Sequence, residues 1–126
     1  MNTTALSTRR HRRWLVAVWF PIIGPLAAWA IHLVGEAALV RSAQDNSSVI
    51  WLMHGLSVVL GSVALCGMVV AYRLTRVGDA VPDGDRSGTA EGRTAFMGWL
   101  GLYAATFNFL LIAAEETVII WVHLRA

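Results

Sequence analysis

Three stretches dominate what this chain can become: Trp14 to Val40, Val49 to Tyr72 and Phe96 to Val122 are each apolar for longer than the roughly 20 residues that carry a helix across a bilayer core. They leave only short polar pieces between them. A basic arm covers residues 1–13, a turn 41–48, a Gly-, Asp-, Ser- and Thr-rich loop with Pro82 spans 73–95, and a tail covers 123–126. The expected fold is therefore all-α: an integral membrane protein of three transmembrane helices in a small up-down-up bundle. With 56% apolar and 14% charged residues, against roughly 25% charged in ordinary soluble domains, the composition speaks against a soluble enzyme scaffold and against a disordered tail.

All ten basic residues are arginine, so their placement says more than the pI of 9.3. Arg9, Arg10, Arg12, Arg13, Arg73, Arg76, Arg86 and Arg93 fall on one side of the three spans, and only Arg41 and Arg125 on the other. The positive-inside rule then puts the N-terminus and the long loop in the cytoplasm and the C-terminus outside an inner membrane. Trp14 and Trp99 fall at the inner boundary and Trp51 and Trp121 at the outer one, where amphipathic rings settle. No soluble segment combines a basic stripe with aromatic platforms, so nucleic acid is not an expected partner. The rival view, a signal peptide ending at Ala28-Trp29-Ala30, conflicts with an apolar run far longer than a ~7–15-residue h-region. Arg9-Arg10 makes a poor twin-Arg signal because Arg12 and Arg13 stand where apolar residues belong.

Five ionisable groups lie inside the spans: His32, Glu36, His54, Glu115 and Glu116. A charge at mid-bilayer costs on the order of 2.5–3.5 kcal/mol on insertion scales, so each requires a partner or a wet cavity. At about 1.5 Å per residue, His32, His54, Glu115 and Glu116 fall at one level roughly 7–11 Å outward of the midplane, with Glu36 a turn further out. His32 and Glu36 share a helix face at i, i+4. His54, Ser57 and Gly61 form a small polar stripe, and Gly101, Ala104, Asn108 and Glu115 another. His32, His54 and Glu115 are expected to meet, with Glu36 stacked outside His32. Glu116, about 100° around from Glu115, is expected to turn away along the face of His123.

Such a set is compatible with four roles. It can be a mutually satisfied cluster that fixes helix packing, a Zn, Fe or Cu site, bis-imidazole haem ligation by His32 and His54 in a larger assembly, or a proton relay. No HExxH, ExxH or CxxC spacing selects among them, no catalytic motif is present, and no cofactor is assumed. The long loop places Asp83, Asp85, Ser87, Gly88 and Glu91 in part of a calcium-loop pattern, but Thr94 stands where a bidentate Glu belongs, so a solvated acidic linker is expected. Cys66 has no pairing partner and reads as a packing residue. Pro21 and Pro25 around Gly24 predict a kinked packing device in the first span, and Trp29, one turn from His32, is placed to shape its surroundings.

The run Gly24-Pro25 and Ala28-Trp29-Ala30-Ile31-His32-Leu33, with His54 early in a second span and Phe107 in the third, resembles a family of small three-span bacterial membrane proteins that accompany heme-copper terminal oxidases and their assembly factors. In that family an aromatic residue often stands where this chain has Glu36, and cysteines flank the outer loops. This chain has no external Cys, which puts a thiol-based copper role in doubt. The resemblance implies a non-enzymatic accessory or assembly role in respiration. A larger membrane complex or a homo-oligomer is the expected partner, docking on the small-residue faces Ser57 to Gly61 and Gly67 to Ala71.

Overall fold

A computed structural model describes residues 3–43, 46–78 and 88–124, with the side chains of 3–11, 78, 122 and 123 outside the description. Three helices account for nearly all of it: α1 (Thr3–Ala43), α2 (Ser47–Gly78) and α3 (Ala90–His123). Each contains an apolar segment long enough to cross a membrane, Arg12–Ala43, Ser47–Val77 and Ala90–Trp121. The helices outrun those segments where polar residues continue the hydrogen-bond ladder, so α1 alone reaches about 60 Å. Asn46 starts α2, its side-chain oxygen accepting from the Ser48 amide at 2.9 Å and its carbonyl from Val49 at 3.0 Å. Asn46, immediately before Ser47, is thus the cap residue. Thr89 does the same for α3 by accepting from the Gly92 amide at 3.0 Å, after Gly88 turns the chain at φ +89°.

The contacts fix the directions. Pro21 and Pro25 of α1 lie against Gly101 of α3 and Gly67 of α2, whereas Gly35 of α1 lies against Leu56 of α2. Moving up α1 is moving down α2, and Gly98 against Leu74 and Thr75 beside Gly61 against Phe109 show α2 and α3 antiparallel as well. The result is the up-down-up bundle. Large apolar side chains face outward on every helix, among them Trp19, Ile31, Val58, Tyr103, Phe107 and Val118, as they must if the surrounding solvent is lipid.

The prolines do not break α1, which is continuous through both. Their rings are fully buried and fill the hollows left by glycine: a Cβ at Gly67 would stand 2.6 Å from Pro25 Cγ, and one at Gly101 2.7 Å from Pro21 Cβ. Ala71 and Ala105 are fully buried in the same region, and Ala64 further along α2. The small-residue faces expected to receive a partner, Ser57 to Gly61 and Gly67 to Ala71, are therefore used inside the bundle. Ser57, Gly61, Gly67 and Ala71 are all buried against the chain's own helices. Small residues let helix backbones approach, and the nearest available helices are the chain's own.

Candidate functional site

The polar groups gather near the end of the bundle where α1 connects to α2. His32 is the centre, with 0% exposure. Its Nδ1 lies 2.7 Å from Glu115 Oε2, and its Nε2 lies 2.8 Å from Ser57 Oγ. Trp29, one turn earlier on α1, donates its indole N–H to Glu115 Oε1 at 3.3 Å. One imidazole thereby joins all three helices. Ser57 Oγ continues the chain, lying 2.5 Å from Glu116 Oε2 and 3.1 Å from the Met53 carbonyl of its own helix, and Glu116 Oε1 in turn accepts from His54 Nδ1. A hydrogen-bonded path therefore runs Trp29, Glu115, His32, Ser57, Glu116, His54.

Glu36 stands beside this path. The i, i+4 spacing brings its Oε1 to 2.9 Å from His32 Nε2, yet that oxygen is buried without a hydrogen-bond partner. The two facts agree once direction is considered: the Nε2 axis of the ring points to Ser57, and Glu36 approaches it from the side, outside hydrogen-bond angles.

Proton counting shows what this centre lacks. If His32 carries a proton only on Nδ1, donated to Glu115, then Nε2, Glu36 Oε1 and Glu116 Oε2 converge as lone pairs around a single hydroxyl proton, that of Ser57. If His32 carries both protons, Nε2–H donates to Ser57 and Ser57 to Glu116, and the path closes with Glu36 Oε1 still unpartnered. Either way the site is electron-rich. Its converging lone pairs suit a cation and not an anion.

The expected meeting of His32 with Glu115, and the stacking of Glu36 on His32, are what the structure contains. Two other expectations are corrected. Glu116 does not turn away: it faces α2 and takes both Ser57 and His54, because adjacent residues near the α1–α2–α3 seam can reach different neighbours, Glu115 to α1 and Glu116 to α2. His54 consequently pairs with Glu116, with Trp51 edge-on at 5.9 Å, and reaches His32 only through Glu116 and Ser57. Bis-imidazole ligation by His32 and His54 loses its geometric basis, since Ser57 and Glu116 stand between the two rings. Asn108 is buried, but its amide donates to the Ala104 carbonyl of its own helix at 2.8 Å; seven residues from Glu115, or about 10 Å along the axis, it stays outside the path.

Ser57 is the member that sequence reasoning missed as a link. Its signal was available, since a serine three residues from an intramembrane histidine shares that histidine's face. The pattern around Asp83 and Asp85, and the side chain of His123, lie outside the described residues.

Openness separates the cluster's members. Side-chain exposure is 13% for Glu36, 26% for Glu115 and 23% for Glu116, against none for His32. A groove between α2 and α3, lined by Gly61, Phe109, Ile112 and Ala113, ends on Ser57 and Glu116. The centre is thus anchored on a sealed imidazole and approached through partly open carboxylates. No family model, curated protein or solved structure matches the chain.

Proposed function

We propose that this chain is a small accessory or assembly protein of the bacterial inner membrane, seated beside a larger membrane complex, with the His32 cluster as its working part. The observation that carries this is the cluster itself: an imidazole sealed between three helices and surrounded by three carboxylates, two of them partly open, in a bundle too small to enclose a large substrate. A centre built only to hold helices together has no need of three carboxylates around one imidazole, with Glu36 Oε1 buried 2.9 Å from Nε2 and outside hydrogen-bond angles. The resemblance of Gly24-Pro25 and Ala28 to Leu33 to proteins accompanying heme-copper oxidases supports a respiratory terminal oxidase as the partner. The Arg distribution supports a cytoplasmic N-terminus and an external C-terminus, which puts the cluster in the outer half of the bilayer.

Gentle detergent extraction of a tagged chain from its native membrane tests the role. Recovery of an oxidase or its assembly factors in stoichiometric amount is expected. A chain that is monomeric and alone under those conditions contradicts it. Reporter fusions at the C-terminus test the orientation, and activity only in the cytoplasm would reverse it.

A further inference from the structure

We infer that His32 Nε2, Glu36 Oε1 and a carboxylate oxygen of Glu116 form a binding site for a divalent transition ion of the zinc class, an inference that deepens the reading of the cluster as the protein's working part. Ligand atoms of these three residues lie within 4.8 Å of one another. An ion on the Nε2 axis requires the Ser57 hydroxyl, now 2.8 Å away on that axis, to swing aside, and rotation of the two glutamate side chains would then bring their oxygens to the roughly 2.0–2.2 Å that zinc keeps from its ligands. Two features point to a cation there. Glu36 Oε1 is buried, aimed at the centre and unpartnered. Glu115 takes the Nδ1 side of His32 at 2.7 Å, the carboxylate–histidine arrangement that fixes the tautomer and turns the Nε2 lone pair toward a metal.

Charge and ligand type narrow the ion. The two ligand carboxylates balance a divalent charge, so the ion adds no excess positive charge to a low-dielectric region, and Glu115 keeps its own charge against the His32 and Trp29 N–H groups. One nitrogen and two oxygens, with no sulfur, suit Zn²⁺ and its divalent neighbours and not Cu(I), which prefers thiolate and thioether ligands. Calcium, which takes six to eight oxygens, is poorly served by two carboxylates. Ser57 Oγ, 2.8 Å from Nε2 and 2.5 Å from Glu116, holds the ion's place in the unloaded chain, and once rotated aside its hydroxyl is near enough to serve as a fourth ligand or to hold a bound water. His54 and Trp29 act as positioning residues, the first holding Glu116 by its other oxygen and the second holding Glu115. Entry runs through the partly open carboxylates and the α2–α3 groove.

The test is titration of the purified full chain, stripped with chelator and held in mild detergent, with Co²⁺ as a spectroscopic stand-in and Zn²⁺ as competitor. The expected result is one Co²⁺ per chain, with visible d–d absorption of low coordination number that Zn²⁺ abolishes. Glu36→Gln and Glu116→Gln, which keep the side-chain shape, should each weaken binding at least about tenfold, and Glu115→Gln by about 10–100-fold through the tautomer it fixes. Asn108→Ala, outside the path, should leave the affinity unchanged. Absence of stoichiometric binding in the unmodified chain, or binding that survives both Glu36→Gln and Glu116→Gln in folded protein, overturns the site. Failure here with an oxidase still recovered on extraction overturns the metal site alone. Binding by a chain that recovers no partner supports the site and overturns the accessory role.

Discussion

The two halves of the bundle are held together by different physics. Toward the end that carries the start of α3, closure is by shape: proline rings of α1 enter hollows at Gly67 and Gly101, and Gly98 lets α3 approach the backbone at Leu74 and Thr75. Toward the other end, closure is by hydrogen bonds radiating from His32. The difference has a cause in the solvent. Lipid gives no hydrophobic drive to pack one apolar helix on another, so association rests on close van der Waals fit or on polar bonds that lipid cannot replace. This chain uses one at each end, and among the described residues the His/Glu cluster lies at the polar end.

The sharpest way to break the shape-closed half is Gly98→Ala. The added Cβ would stand 2.7 Å from the Thr75 amide nitrogen and 2.9 Å from the Leu74 carbonyl carbon, and backbone cannot step aside as a flexible side chain does. A loss of about 1–3 kcal/mol is expected, read from reversible unfolding in detergent, and an unchanged midpoint would contradict the close approach. In the polar half, His32→Ala should cost about 0.6–2 kcal/mol, the scale of hydrogen bonds inside membranes, while helix content by circular dichroism persists.

Gly55 supplies a contrast within the polar half, because nothing lies within 4 Å of the position its Cβ would take. Gly55→Ala should raise stability by up to about 0.5–1 kcal/mol through helix propensity alone, and a loss would mean an unrecognised contact on that face. An effect of similar size belongs to Arg76, whose guanidinium reaches the Tyr72 hydroxyl at 2.5 Å and stacks over the ring at 5.1 Å. Arg76→Ala should cost about 0.5–1 kcal/mol, with the polar cluster unaffected in imidazole NMR.

How much of this was readable in the residues differs between the halves as well. The three helices follow from sustained apolarity over three long stretches, and the depth matching of His32 with Glu115 follows from counting residues along antiparallel spans. Partner choice between neighbours did not follow. Glu115 and Glu116 differ by one position, and which of them meets α1 and which α2 depends on how α3 is rotated about its axis, which proline–glycine contacts more than 15 Å away along the helix help to set. The small-residue faces were legible as contact surfaces but not as to whose: composition marks a close approach without saying whether the approaching helix is the chain's own.

The central claim is that one imidazole ties the helices together through Glu115, and a double-mutant cycle tests it most directly. Unfolding free energies of His32→Ala, Glu115→Ala and the pair, measured in the same detergent, should reveal a coupling of about 0.6 to 1.7 kcal/mol. The parallel cycle of His32→Ala with Asn108→Ala should be additive within about 0.5 kcal/mol, since those side chains share no partner. Additivity between His32 and Glu115 would contradict the account, because the contact around which the polar half is built would then carry no energy.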